Sequence, residues 1–210
     1  MKATNEPPRQ IAFDFAAPPA RFENFIAGNN AECLARLRAL DFPAVLYLWG
    51  ETGCGKSHLL AAAAAHAEQA QTPVVVADDA QNLDAAAQEA LFDAFNATLT
   101  GGPKLIVAGD RAPLQLTLRE DLRTRLGAGL VYALQPLSDA EKRLAILAAG
   151  RARGMPLSDE FVDHLLNHFQ RDLRSLMGLI DALDRYSLAA KRAVTLPLLR
   201  EVLQHHRPPR

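Results

Sequence analysis

From Phe22 to Pro136 short apolar runs alternate with longer segments of helical character, and after Pro136 only helical periodicity remains. Asn29 or Asn30 stands where a cap would open a helix running to about Leu40, and Ala44 to Trp49 reads as a buried strand. The alanine-rich run Ser57 to Gln69 has high helix propensity, Thr72-Pro73 ends it, and Val74 to Ala77 follows as a second strand. A helix from about Asp84 to Leu99 comes next. Gly101, Gly102 and Pro103 turn the chain into a third strand, Lys104 to Ala108, and Leu130 to Leu134 forms a fourth after another helical segment. Strands separated by helices predict a parallel sheet in an α/β domain over 21–136.

Beyond that boundary Ser138 precedes Glu141 at capping-box spacing and opens a helix to about Arg153. Ser158 with Phe161, Leu165 and Leu166 predicts a second helix, Leu173 to Ala190 a third, and Thr195 to Gln204 a fourth with Pro197 in its first turn. Residues 137–210 therefore read as a small all-α domain. Residues 1–20 carry prolines at 7, 8, 18 and 19 and read as an extended arm. No internal repeat is visible.

Composition narrows the classes. A chain of 210 residues that is 49% hydrophobic buries a substantial core. Its longest apolar stretch, Leu59 to Ala65, falls well short of the roughly 20 residues of a membrane span. With no charged-then-apolar N-terminus, the expected location is cytoplasmic. Cys33 and Cys54 make no disulfide framework, and a net charge of -1 gives no global case for nucleic acid.

The chemistry concentrates in Gly50-Glu51-Thr52-Gly53-Cys54-Gly55-Lys56-Ser57, which fits G-x-x-x-x-G-K-[ST] between a strand and a helix. In that pattern backbone N–H groups wrap phosphates and the helix N-terminus adds partial positive charge. The loop is expected to hold the phosphates of ATP or ADP, with Lys56 reaching the β-phosphate and, in ATP, the γ-phosphate, and the Ser57 hydroxyl ligating Mg²⁺. A hard ion needs further oxygen, which Asp78 supplies at the end of the second strand, while Asp79 orients or activates the attacking water. The alternative is that Asp78 and Asp79 only shape the turn, and that Asp110, after Ile106-Val107-Ala108-Gly109, serves Mg²⁺.

Six segments together resemble the AAA+ ATPases of the bacterial DnaA group, in particular its regulatory inactivators, over nearly the whole chain. Phe22-Glu23-Asn24-Phe25 with Gly28 resembles the approach to that family's adenine pocket, and Trp49 to Leu60 its P-loop. Gly109-Asp110-Arg111-Ala112-Pro113 resembles the sensor 1 turn, and Leu122-Arg123-Thr124-Arg125-Leu126 the arginine-finger stretch with Arg125 at the matching place. Leu134-Gln135-Pro136-Leu137-Ser138-Asp139 resembles the join to the lid, and Arg171-Asp172-Leu173-Arg174-Ser175 the sensor 2 segment with Arg171 matching. The resemblance implies a P-loop AAA+ sheet with a helical lid, and a regulator with weak or no ATPase of its own. It further implies that the regulator, bound to the DNA polymerase sliding clamp, stimulates ATP hydrolysis on the DnaA initiator in trans and prevents re-initiation. The initiator continues past its lid into a helix-turn-helix domain. With the sequence ending at Arg210, no sequence-specific DNA binding is expected.

Gln10-Ile11-Ala12-Phe13-Asp14-Phe15 resembles the clamp-binding peptide of bacterial replication proteins, with Gln10 leading and Ile11, Phe13 and Phe15 as anchors. Without the family, it reads equally as a strand lying on the protein's own core. One departure is plain: only about 22 residues separate Lys56 from Asp78, enough for one helix and a turn. The family's further strand and helix are missing there, which leaves Val74 to Val76 near an exposed edge and points to a covering partner or self-association. His164 and His168 lack the further ligands of a metal site, and His205, His206 and Arg207 read as a solvated tail. Competing readings are an autonomous ATPase acting as helicase loader or remodeller, and a small-molecule kinase, which the helical C-terminus disfavours.

Overall fold

The computed structural model describes residues 18–168 and 173–205. Two compact units emerge, one comprising Ala20–Pro136 and the other built from the described part of Leu137–Arg210. In the first unit the order is α1 (Ala31–Ala39), β1 (Val45–Trp49), α2 (Lys56–Gln69), β2 (Val74–Ala77), α3 (Ala85–Leu99), β3 (Lys104–Gly109), α4 (Glu120–Gly127) and β4 (Leu130–Ala133). Short 3₁₀ turns sit at Phe22–Asn24, Gly28–Asn30, Ala80–Asn82 and Pro113–Gln115.

The four described strands form one parallel sheet in the order β2-β3-β1-β4. Its centre is buried on both faces, which is why β1 and β3 read as continuous apolar runs. Leu46, Leu48, Ile106 and Ala108 face α1 and α2, meeting Cys33, Leu37, Leu59, Leu60 and Ala63. Val45, Tyr47, Leu105 and Val107 face the opposite way, toward Leu91 of α3 and Leu122 and Leu126 of α4. The strand period of two sorts the residues into these layers. As the short spacing after Lys56 implied, β2 pairs with β3 alone and is an edge, with Val76 40% exposed.

The second unit holds α5 (Asp139–Ala152), α6 (Asp159–His168), α7 (Leu173–Ala190) and α8 (Leu196–His205). Ser138 and Glu141 make the capping box that their spacing announced, Glu141 N donating to Ser138 Oγ and Ser138 N to Glu141 Oε2. Ile146, Phe161, Leu165, Leu179, Ile180 and Val202 are among the residues that fill its core. No described helix is long and apolar enough to cross a membrane.

Ile106 lies at the sheet centre with no exposed surface. Ile106→Ala is expected to cost about 2–5 kcal/mol of unfolding free energy, measured by urea denaturation, because the rigid layers on either side cannot close the cavity.

Candidate functional site

Backbone packing at the end of β1 sets the loop Gly50–Ser57. Leu134 N donates to Trp49 O at 2.7 Å, fastening the segment after β4 alongside the point where the loop begins. Gly50 has φ +154°, and a Cβ there would stand 2.6 Å from Leu134 O. At the other end Gly55 has φ +102°, and a Cβ would stand 2.7 Å from Phe25 Cε2. Phe25 thus covers the loop from the segment before α1, its ring 5.5 Å from that of His58. A cradle so close to its walls accepts only glycine at both hinges.

Lys56 Nζ donates to Gly50 O at 2.7 Å and Glu51 O at 3.0 Å, so the cation stands inside the bend of the loop at the N-terminus of the 14-residue α2. Ser57, next on that helix, is exposed. Cys54 is buried under the loop with Sγ 3.9 Å from Lys56 Nζ; burial pushes its thiol pKa up, although Lys56 opposes the shift. That is the setting of a packing residue rather than a reactive thiolate. Cys33, in the α1 layer, is pushed by burial to about 12.

The candidate acids lie on two adjacent strand ends. Asp78 Oδ1 accepts from Asp79 N at 2.9 Å, and Asp79 takes a left-handed φ of 51° as the chain turns into Ala80–Asn82. Asp110, after β3, is gripped by Arg111, with Nε 3.0 Å from Oδ1 and Nη2 2.6 Å from Oδ2. Those hydrogen bonds hold its carboxyl pKa below the ordinary value, with Lys56 contributing. Among the described residues no three His, Cys, Asp or Glu side chains converge to hold a metal unaided. An Mg²⁺ ion here would therefore take one or two oxygens from Ser57 and an acid, and complete its shell from phosphate and water.

Three residues whose roles the sequence did not reveal organise this end of the sheet. Tyr47, fully buried in β1, donates its hydroxyl to Arg111 O at 2.9 Å. Gln81 connects Asp79 to the Asp110 backbone. Asn30 does not cap α1 as its position suggests. Its buried side chain instead donates to Gln135 O at 2.9 Å and accepts from Gln135 N at 2.8 Å, because two backbone groups beyond β4 need partners. Only an isolated buried Tyr in a strand and an Asn before a helix hinted at these roles.

Arg125 sits on α4 among α3 side chains. Its Nη1 donates to Asn96 Oδ1, and its guanidinium lies 3.9 Å from the Phe92 ring centroid and 4.9 Å from that of Phe95. Asp79, Asp110 and Lys56 are thus brought to one end of the sheet, while Arg125 is held on a separate helical surface. Gln10, Ile11, Phe13, Phe15 and Arg171 lie outside the described residues. His164 and His168 stack with centroids 4.2 Å apart.

Two family models match different parts of the chain. Residues 69–133 match the bacterial DnaA ATPase domain, and residues 139–203 match the Hda lid domain. The glycine-rich loop precedes the first match and stands on its own residues and geometry. Among solved structures, domain III of the Thermotoga maritima replication initiation protein DnaA is similar with a TM-score of 0.68 and 22% identity, covering 95% of this chain and 100% of that one. AMPPCP-bound DnaA from Aquifex aeolicus is similar at 0.65 and 22%, covering 81% and 66%. The Thermotoga maritima RuvB Holliday junction branch migration motor is similar at 0.59 and 16%, covering 89% and 72%. These likenesses show a shared fold.

Asn30→Ala strips Gln135 of both its partners. The expected loss is about 1–3 kcal/mol in urea unfolding, more than an exposed Asn→Ala change outside a cap.

Proposed function

We propose that this chain, an AAA+ protein related to Hda and DnaA, is a regulator of replication initiation that holds ADP or ATP in the loop Gly50–Ser57 and acts on the DnaA initiator in trans. The observation that carries the reading is the pairing of a lysine-filled phosphate cradle with a helical unit of the Hda lid type. An analogue of ATP is named in the Aquifex DnaA structure, which supports adenine as the base. Lys56 exchanges its carbonyl partners for phosphate oxygens, a stronger charge-assisted contact, and the N-terminus of α2 faces the same anion. Ser57 and Asp78 hold Mg²⁺, since both Asp110 oxygens are already engaged by Arg111. Mg²⁺ when bound would offset the negative charge of the nucleotide's phosphates. Asp79 orients water, Asp110 reports the phosphate end to the turn after β3, and Arg171 binds the nucleotide.

The partners follow from the same reading. Gln10, Ile11, Phe13 and Phe15 dock on the sliding clamp as an extended peptide with alternating anchors. Arg125 supplies a guanidinium to ATP on DnaA, and its stacking on Phe92 lowers the entropy lost in presenting it. The exposed β2 edge suits self-association. A second reading, an autonomous remodeller or helicase loader, is favoured by the likeness to the RuvB motor.

The expected result of a pull-down is that the intact chain binds the clamp and that Gln10→Ala with Phe15→Ala abolishes binding. On the clamp, the chain accelerates hydrolysis of DnaA-bound ATP, and Arg125→Ala lowers the stimulated rate by about 10³-fold or to the unstimulated level. No clamp binding by the intact chain, or intrinsic turnover that is high and survives removal of residues 1–20, favours the second reading.

A further inference from the structure

Gln81 uses both ends of its amide on neighbouring turns. Its Nε2 donates to Asp79 Oδ1 at 3.0 Å, and its Oε1 accepts the backbone N–H of Asp110 at 3.1 Å. That oxygen lies 3.5 Å from where a Cβ on Gly109 would stand. The Ala80–Asn82 turn that presents Gln81 is itself closed by Asn82 N donating to Asp79 O at 2.7 Å. From the other side, Tyr47 fixes the Asp110-Arg111 turn through Arg111 O. The turn after β3 is therefore held by a phenol from β1 and an amide from beyond β2. An amide is suited to this place because it donates to a carboxylate and accepts from a backbone N–H at once; an ionised carboxyl group has no donor, a methyl has neither function, and a thioether has no donor and only a weak acceptor.

Resting on the reading of Gly50–Ser57 as an Mg²⁺-nucleotide site, we propose that Gln81 is a positioning residue. It locks the acidic turn after β2 to the turn after β3, and through that lock Mg²⁺ strengthens nucleotide binding. The physical reason lies in the sparse protein donor set, since no cluster of three acids converges among the described residues. Asp79 N donates to Asp78 Oδ1, so Gln81, by holding the Asp79 carboxylate, fixes the residue that orients the Asp78 oxygens. When a cation takes one or two oxygens from the protein, the groups that orient them govern its contribution. Releasing Gln81 frees the Asp79 carboxylate and deprives Asp110 N of its acceptor, but leaves Lys56 and the loop backbone untouched. Metal-free binding then persists while the gain from Mg²⁺ is lost. By linkage, the gain in ADP affinity from Mg²⁺ equals the gain in Mg²⁺ affinity from ADP.

Calorimetric titration of ADP, once with Mg²⁺ and once with EDTA, tests this on the whole protein, Gln81→Ala and Gln81→Met, with thermal melting as a check of folding. The unaltered protein is expected to bind about tenfold or more tightly with Mg²⁺, and both variants to lose that gain while keeping metal-free affinity within about twofold. Gln81→Met preserves the side-chain length, so packing alone does not explain its loss. A variant that keeps the full Mg²⁺ gain overturns the proposal, as does equal weakening with and without metal or an unaltered protein indifferent to Mg²⁺. Absence of ADP binding by the unaltered protein in either condition overturns the nucleotide reading itself. Hydrogen exchange at the Asp110 amide gives a test free of substitutions. ADP with Mg²⁺ is expected to slow it and ADP with EDTA to leave it unchanged; equal slowing overturns the proposal.

Discussion

Gly50 lies so close to Leu134 O that a methyl group between them would be 2.6 Å from the oxygen, and the rest of the site depends on that approach. The central strand β1 delivers the loop between β3 and β4, and the segment after β4 fixes its first residue through Leu134 N and Trp49 O. Because Asn30 in turn holds Gln135, the stretch leading to α1 is tied to the same frame, and Phe25 from that stretch closes over Gly55. Backbone position, rather than any one side chain, makes the pocket in which Lys56 stands.

Electrostatics then separate roles among chemically similar groups. Asp78 and Asp110 occupy equivalent strand ends, but the bidentate Arg111 contact engages Asp110 and leaves Asp78 as the better candidate for a cation. Arg111 follows β3 and Arg125 lies within α4, and one is paired within its turn while the other has its guanidinium over the rings of Phe92 and Phe95. A stacked guanidinium keeps its charge and a defined plane, which suits an arginine offered to a partner.

Local pattern made the strands, the P-loop and the lid helices legible, since buried parallel strands are continuous apolar runs and helices carry their caps beside them. The short spacing after Lys56 even indicated that Val74–Ala77 would end the sheet. What the sequence hid were contacts made across long separations. Asn30 looked like a cap because a cap is a local bond, whereas its partner is 105 residues away. Tyr47 and Gln81 were invisible for the same reason, their value coming from strands that become neighbours only on folding.

The central claim is that Lys56, seated on the loop carbonyls, is the cation that holds a nucleotide's phosphates. Equilibrium dialysis of ADP against the intact protein and Lys56→Ala tests it most directly. The expected result is binding by the intact protein and a loss of at least about tenfold in the variant, the scale of a charge-assisted contact of about 1.5–3 kcal/mol. Equal ADP affinity in the two proteins, with both folded, would contradict it.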